Sequence, residues 1–183
     1  MPVTLSDALR ALRQHGLIGA TVAVGACLDG DVSCVTPASA LAWAKREGFD
    51  AVVCAIGPGV VGTGSFLGHG GLAVGAVLWA AASLQGRPLL APRVSLADKR
   101  ERHRGISHHA RAVVALCGDP LTVAWPAGLE APAGVAVEVV DVEEWRAACA
   151  DLPLETMGRG TDEDPWLFAA AFAAGRLAAR MLP

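Results

Sequence analysis

Histidine and arginine crowd one short stretch of the chain, residues 87–111, which reads Arg-Pro-Leu-Leu-Ala-Pro-Arg-Val-Ser-Leu-Ala-Asp-Lys-Arg-Glu-Arg-His-Arg-Gly-Ile-Ser-His-His-Ala-Arg. Three of the five histidines lie in it, and residues 93–111 carry six Arg or Lys against two acids. Arg93, Arg100, Arg102, Arg104 and Lys99 can grip a carboxylate or phosphate, arginine through paired N–H donors. His103, His108 and His109 with Asp98 can instead bind a metal, since imidazole and carboxylate suit zinc or iron. On a strand, adjacent His108 and His109 face opposite ways, which counts against a three-histidine site. Acid–base work by one histidine is the further option, with Asp98 orienting it and Ser107 as a hydrogen-bonding or nucleophilic hydroxyl. The plain alternative is a solvated basic loop.

A second unusual segment lies upstream, Gly57-Pro58-Gly59-Val60-Val61-Gly62-Thr63-Gly64-Ser65. It contains a literal G-x-G-x-x-G after an apolar run, a pattern that lets backbone approach a pyrophosphate. A nicotinamide or flavin dinucleotide is disfavoured, because further glycines delay the next helix and no acidic residue follows before Asp98. No G-K-[ST] is present, so a Walker A loop is excluded. An anion-binding loop remains, using backbone N–H groups around Gly57, Gly59, Gly62 and Gly64 with the Thr63 and Ser65 hydroxyls. A turn that packs closely is the bland equivalent. His69 sits among glycines where its side chain can reach a ligand unhindered, although a lone histidine is more often structural. Asp29 and Asp31 are candidate bases or ligands, or simply turn acids. Met157-Gly158-Arg159-Gly160, followed by Asp162, Glu163 and Asp164, is either a lid or an acidic helix start favoured by the dipole.

The elements that must position these groups follow from the pattern around them. Ser6-Asp7 caps a helix running to about His15, and residues 18–24 read as a short buried strand. A loop over 25–35 leads to Thr36-Pro37, which opens a second helix that ends near Gly48. Residues 51–56 form an apolar run without alternation, the mark of a buried parallel strand. A helix from about 71 to 85, a strand over 88–91 and the Arg/His segment complete this half. Beyond it, 112–117, 121–125 and 135–140 read as strands, 142–149 as a helix, and Asp164-Pro165 opens a helix to about Met181. The expectation is one α/β domain over residues 1–183 with a mainly parallel, Rossmann-like sheet, helices on both faces, a β-rich C-terminal portion and a C-terminal helix. In such sheets ligands bind beyond the carboxyl ends of the strands, which gathers loops 25–35, 57–70 and 92–109 on one edge.

At 183 residues, 53% hydrophobic and 18% charged, with mean hydropathy +0.43, the chain is apolar. Either its core is large or a face is covered by a partner, so a homo-oligomer or a second chain completing the site is expected. A net charge of −3 and a pI near 5.9 argue against a general nucleic-acid binder. Residues 51–86 hold no Asp, Glu, Lys or Arg, but glycine interrupts them, and no run approaches the ~20 apolar residues of a membrane span. Five cysteines without a C-x-x-C pair and no visible signal peptide fit reduced thiols in a cytoplasmic protein.

These segments also carry a resemblance. Gly57 to Gly64, then Pro92-Arg93-Val94-Ser95 through Asp98, Arg100 and Arg102-His103-Arg104-Gly105-Ile106-Ser107-His108-His109, and finally Thr156-Met157-Gly158-Arg159 with Glu163-Asp164-Pro165 resemble the signatures of the bacterial family catalogued as domain of unknown function 3866. The resemblance runs in consistent order through most of the chain and corresponds to the C-terminal half of longer members. The first loop departs, with Gly25-Ala26-Cys27-Leu28-Asp29-Gly30-Asp31 where the family is glycine-rich with an aromatic. The resemblance implies a site but no reaction and no cofactor.

The leading expectation is an enzyme acting on a phosphorylated or otherwise anionic small molecule held between the glycine loop and the arginines. A non-catalytic ligand-binding or regulatory domain and a metal-dependent hydrolase are the alternatives.

Overall fold

A computed structural model of the chain describes residues 2–56, 60–119 and 121–182. Gly57 and Gly59 of the glycine-rich motif lie outside the described residues. The chain is a mixed α/β protein. After a 3-10 turn at Val3–Leu5 comes α1 (Asp7–Gln14), capped by the Ser6 hydroxyl accepting from the Leu9 N–H. Strand β1 (Val22–Val24) follows, then β2 (Val32–Cys34) and α2 (Pro37–Arg46). Thr36 and Ser39 form a reciprocal capping box at the start of α2, with Pro37 in its first turn. After a single 3-10 turn at Gly70–Leu72 comes α3 (Ala73–Ser83). The short strands β3 (Leu89–Leu90), β4 (Val94–Ser95) and β5 (Gly105–Ile106) lead to α4 (His108–Cys117). Finally β6 (Thr122–Pro126), β7 (Glu138–Val140), the short α5 (Trp145–Ala148) and the long α6 (Pro165–Met181) close the chain.

The sheets among the described residues are small. β1 and β2 pair in parallel, Val22 opposite Val32, so part of the expected 25–35 loop is a strand. β3, β6 and β7 form a parallel trio in that order. β4 and β5 pair antiparallel, Val94 opposite Ile106. Residues 51–56, expected as a buried strand, are neither extended into a ladder nor buried, and Val53 is 94% exposed. An apolar run supplies a face to bury, but a strand also needs a neighbour's free backbone edge.

Residues 112–117, expected as a strand, are the second half of α4. Val113 and Val114 suggest a strand locally, yet Ala110, Val113 and Cys117 recur at helical spacing and are all buried. The Ser107 hydroxyl caps the helix by accepting from the His109 N–H at 3.3 Å, and Gly118 ends it with a φ of 51°.

The core gathers where α6 crosses β6. Ala169, Ala170, Ala173, Ala174 and Leu177 face inward, and such small side chains bring the helix close against the sheet. One half of this core holds Ala124, Val140, Val142 and Trp145; the other holds Val94, Ile106, Ala110 and Trp125. Trp125 is fully buried, and its indole N–H donates to the Leu129 carbonyl at 3.0 Å. A third cluster of Leu78, Val113 and Cys117 ties α3 to α4. Among the described residues, no helix is long and apolar enough to cross a membrane.

Candidate functional site

Helix α4 gives the site its shape. Because His108 and His109 occupy the first turn of a helix, they no longer point to opposite faces as strand neighbours do. Their ring centroids lie 4.1 Å apart. His103 approaches from the 3-10 turn at Glu101–His103, with its centroid 4.9 Å from His108 and 5.1 Å from His109. The fourth ring comes from the glycine-rich loop: His69 stands 4.1 Å from His109 and 5.4 Å from His108.

The loop before His69 is built to deliver that ring. Gly62 and His69 form an antiparallel bridge, and the Gly70 N–H donates to the Val61 carbonyl at 2.8 Å. The Thr63 N–H and hydroxyl both donate to the Gly68 carbonyl, at 2.6 and 3.2 Å. The Thr63 and Ser65 hydroxyls lie 3.0 Å apart and bond to each other. Gly68 faces both hydroxyls so closely that a Cβ there falls 2.1 Å from Thr63 Oγ1. Thus Thr63 and Ser65, singled out as anion donors, are engaged within the loop, and Gly62 lies opposite His69 in a bridge made by its neighbours Val61 and Thr63. Gly64 sits at its open tip.

His69 is 7% exposed, and neither Nδ1 nor Nε2 has a hydrogen-bond partner among the described residues. His108 Nδ1 is likewise buried and unpartnered. Burying such atoms unsatisfied costs about 1–3 kcal/mol apiece. One ligand atom from each of His69, His108 and His109 lies within 4.8 Å of the other two. Ligand atoms this close together can share one ion, as the histidines of a zinc site do with bonds of about 2.0–2.1 Å.

The rings of His103, His108 and His109 are also held in the neutral form. Burial, followed by the nearby Arg100 and Arg93 charges, pushes His103 down to about 4. Burial and the neighbouring His108, His69 and His103 push His109 down to about 4. Burial and Arg102 lower His108 as well. All three are therefore neutral at neutral pH, as metal ligation requires.

Ser107 lies beneath the cluster with no exposed surface. Its Oγ is 2.8 Å from His103 Nδ1 while also capping α4. One hydroxyl thus fixes both the His103 ring and the helix that carries His108 and His109.

Asp98 is taken up by arginines rather than by a histidine. It is 2% exposed; its carboxylate accepts from Arg100 Nε at 3.1 Å, from Arg100 Nη2 at 3.1 Å and from Arg93 Nη2 at 2.9 Å. Its carbonyl accepts from Arg104 Nε at 3.1 Å. Hydrogen bonds from the Arg100 side chain, working against burial, hold the Asp98 carboxyl well below the usual carboxylate range. The Arg100 guanidinium is raised in turn, chiefly by that hydrogen bond.

The hub also includes residues that the sequence offered only as a lid or a helix start. Arg159 Nη2 stands 4.0 Å from Asp98 Oδ2, and Arg159 Nε donates to Asp164 Oδ2 at 3.1 Å. Ser95 donates its hydroxyl to the same Asp164 oxygen at 2.7 Å. Asp164 precedes α6 but does not cap it with its side chain, being 1% exposed and turned inward. The turn carrying Arg159 is closed by mutual hydrogen bonds between Thr156 and Arg159. Met157 adopts a φ of 52° there and seats its sulfur 3.6 Å from Arg93 Nη2.

Of the three loops expected on one edge, two converge: the glycine loop and the Arg/His segment. In the first loop, Asp31 is bound by the Thr21 N–H at 2.7 Å and by Arg13, and Asp29 accepts from the Thr4 hydroxyl at 3.4 Å.

Comparison with known proteins matches residues 1–175 to the model of a family described as Protein of unknown function (DUF3866). No curated protein and no solved structure matches the chain.

Proposed function

Since the chain belongs to the DUF3866 family, whose description carries no reaction, we propose from the geometry that it is a metal-dependent enzyme, a hydrolase with its metal on His69, His108 and His109. One observation carries this reading: a buried His69 with neither ring nitrogen partnered among the described residues, set against the imidazoles of His108 and His109. Zinc is the ion that best suits three nitrogen ligands at this spacing. Held by three imidazoles, it supplies Lewis acidity toward a carbonyl or phosphoryl oxygen and leaves a coordination position open. Ser107 positions the cluster, and His103, tied to Ser107 through Nδ1, is placed to hold or release a proton beside it.

His103 also favours a second reading. If it completes a four-histidine set, the ion is closed off as structural sites are, and the chain is a non-catalytic binding or regulatory domain. Elemental analysis of the purified protein tests the shared premise. The expected result is about one zinc per chain, lost in a His108→Ala/His109→Ala double variant and in His69→Ala. Absence of bound metal, together with no uptake of added zinc by folded protein, overturns both readings. Replacing zinc by cobalt and following its absorption on His103→Ala then separates them. A spectrum unchanged by that substitution supports the open, catalytic site.

A further inference from the structure

The arginine hub leaves its own atoms unsatisfied, and they differ in kind. Arg93 Nη1 and Arg159 Nη2 are buried donors without a hydrogen-bond partner among the described residues. Asp164 Oδ1 is a buried acceptor without one. The three belong to a single cluster, because Arg93 and Arg159 flank the same Asp98 oxygen and Arg159 bonds Asp164 directly. Three guanidinium groups, from Arg93, Arg100 and Arg159, serve only two carboxylates there, and a fourth, from Arg104, donates to the Asp98 carbonyl. The cluster therefore lacks negative charge and acceptors on one side and a hydrogen-bond donor on the other.

We propose that Arg93, Arg159 and Asp164 form a subsite for a phosphate group that retains one hydrogen on oxygen. Its unprotonated oxygens accept from the two guanidinium groups, as paired arginines favour. Its P–OH donates to Asp164 Oδ1. At neutral pH inorganic phosphate carries such a hydrogen, a phosphate monoester with its second pKa near about 6 keeps one in its minor monoanion, and sulfate carries none. A sulfate oxygen facing Asp164 sets lone pairs against lone pairs in a buried place, so the subsite discriminates between two ions of nearly equal size and shape. Ser95 and Arg159 hold Asp164 by its other oxygen, which leaves Oδ1 for the ligand.

The subsite adjoins the histidines. The Arg93 carbonyl accepts from the Ser107 N–H at 2.9 Å, and the Arg93 and Arg100 charges both act on His103. This names phosphate compounds as the substrate class of the proposed enzyme. It rests on the metal reading for turnover, but not for binding.

Calorimetric titration of the full chain at neutral pH tests it, using inorganic phosphate, methyl phosphate and sulfate, on zinc-loaded and chelator-treated protein. The expected result is saturable one-site binding of inorganic phosphate in both forms, with sulfate weaker by about a hundredfold or more. Methyl phosphate binding as well as inorganic phosphate assigns the subsite to monoesters; a clear preference for the inorganic ion assigns it to free phosphate. Arg159→Lys, which keeps the charge but loses the guanidinium fork, is expected to weaken phosphate about tenfold or more. Asp164→Asn should erase the preference over sulfate. The His108→Ala/His109→Ala variant should bind phosphate as the parent does, so failure of the metal site leaves this result intact. Equal affinity for phosphate and sulfate in the parent chain, or no saturable phosphate binding to folded protein, overturns the proposal whether or not either hub variant folds.

Discussion

Gly71 lies directly against the His69 ring: a Cβ at Gly71 falls 2.8 Å from His69 Nδ1, 3.2 Å from Cε1 and 3.6 Å from the Cβ of His109. The glycine is the space into which one histidine of the cluster turns.

Gly71→Ala is therefore expected to displace the His69 ring while removing no titratable group. Losing a correctly oriented ligand weakens metal binding by about 10- to 100-fold. Competition with a chromophoric zinc chelator measures this, and parent-like affinity would remove His69 from the ligand set.

Ser107→Ala removes both the cap of α4 and the tie to His103. The loss of an N-cap typically costs about 1 kcal/mol and up to about 2 kcal/mol, and the buried site places this case at the upper end. Urea unfolding monitored through the tryptophans gives the difference. Ser107→Thr, which restores an acceptor, should recover part of it.

Asp98→Asn probes the hub. The carboxyl of Asp98 ionises at lower pH in the folded chain than in the unfolded one, where it titrates near 3.9. Its contribution to stability is thus fully present above that value and is lost as the pH falls toward the folded one. At neutral pH the substitution leaves the half-buried Arg93 and the exposed Arg100 facing a neutral amide; breaking a fully buried pair costs about 3–5 kcal/mol, and solvent at Arg100 brings the expected cost below that range. The gap between parent and variant should hold from pH 7 to about 5 and narrow below about 4. Denaturant midpoints at pH 7, 5 and 3 provide the comparison, and a constant gap would mean that the charge of Asp98 is not what matters.

Ala173→Leu tests the close approach of α6 to the sheet. Ala173 has no exposed surface and packs with Val140, Val142 and Trp145. Forcing three more carbons into that space costs about 1–3 kcal/mol or more, read as a lower thermal midpoint with unchanged zinc content.

Helices α1, α2 and α6 were legible because their starts are written in local chemistry: Ser6, Thr36-Pro37 and Asp164-Pro165. Strand identity was less so. Residues 51–56 have strand composition without a strand, and Val113-Val114 sit in a helix, because pairing and capping decide what β-branched residues only suggest. Misreading α4 hid the most useful fact about His108 and His109, that one helical turn sends them to one place. The density of His103, His108 and His109 in the chain corresponds to a gathering of their rings in the fold. His69 stood out for its glycine surroundings, yet nothing local joined it to the others. Asp98 was drawn to Arg100, two residues on, before any histidine. Arg159 and Asp164 reach the hub through contacts that no local pattern encodes; Ser95 and Asp164 are 69 residues apart.

That separation sets an order of events during synthesis. Arg93, Ser95 and Asp98 leave the ribosome long before Arg159 and Asp164, so the nascent chain carries an arginine-rich hub short of one of its two carboxylates. Helix α6 brings the inward face of the core at the same moment. The segment from Arg159 through α6 therefore both completes the hub and buries what came before it.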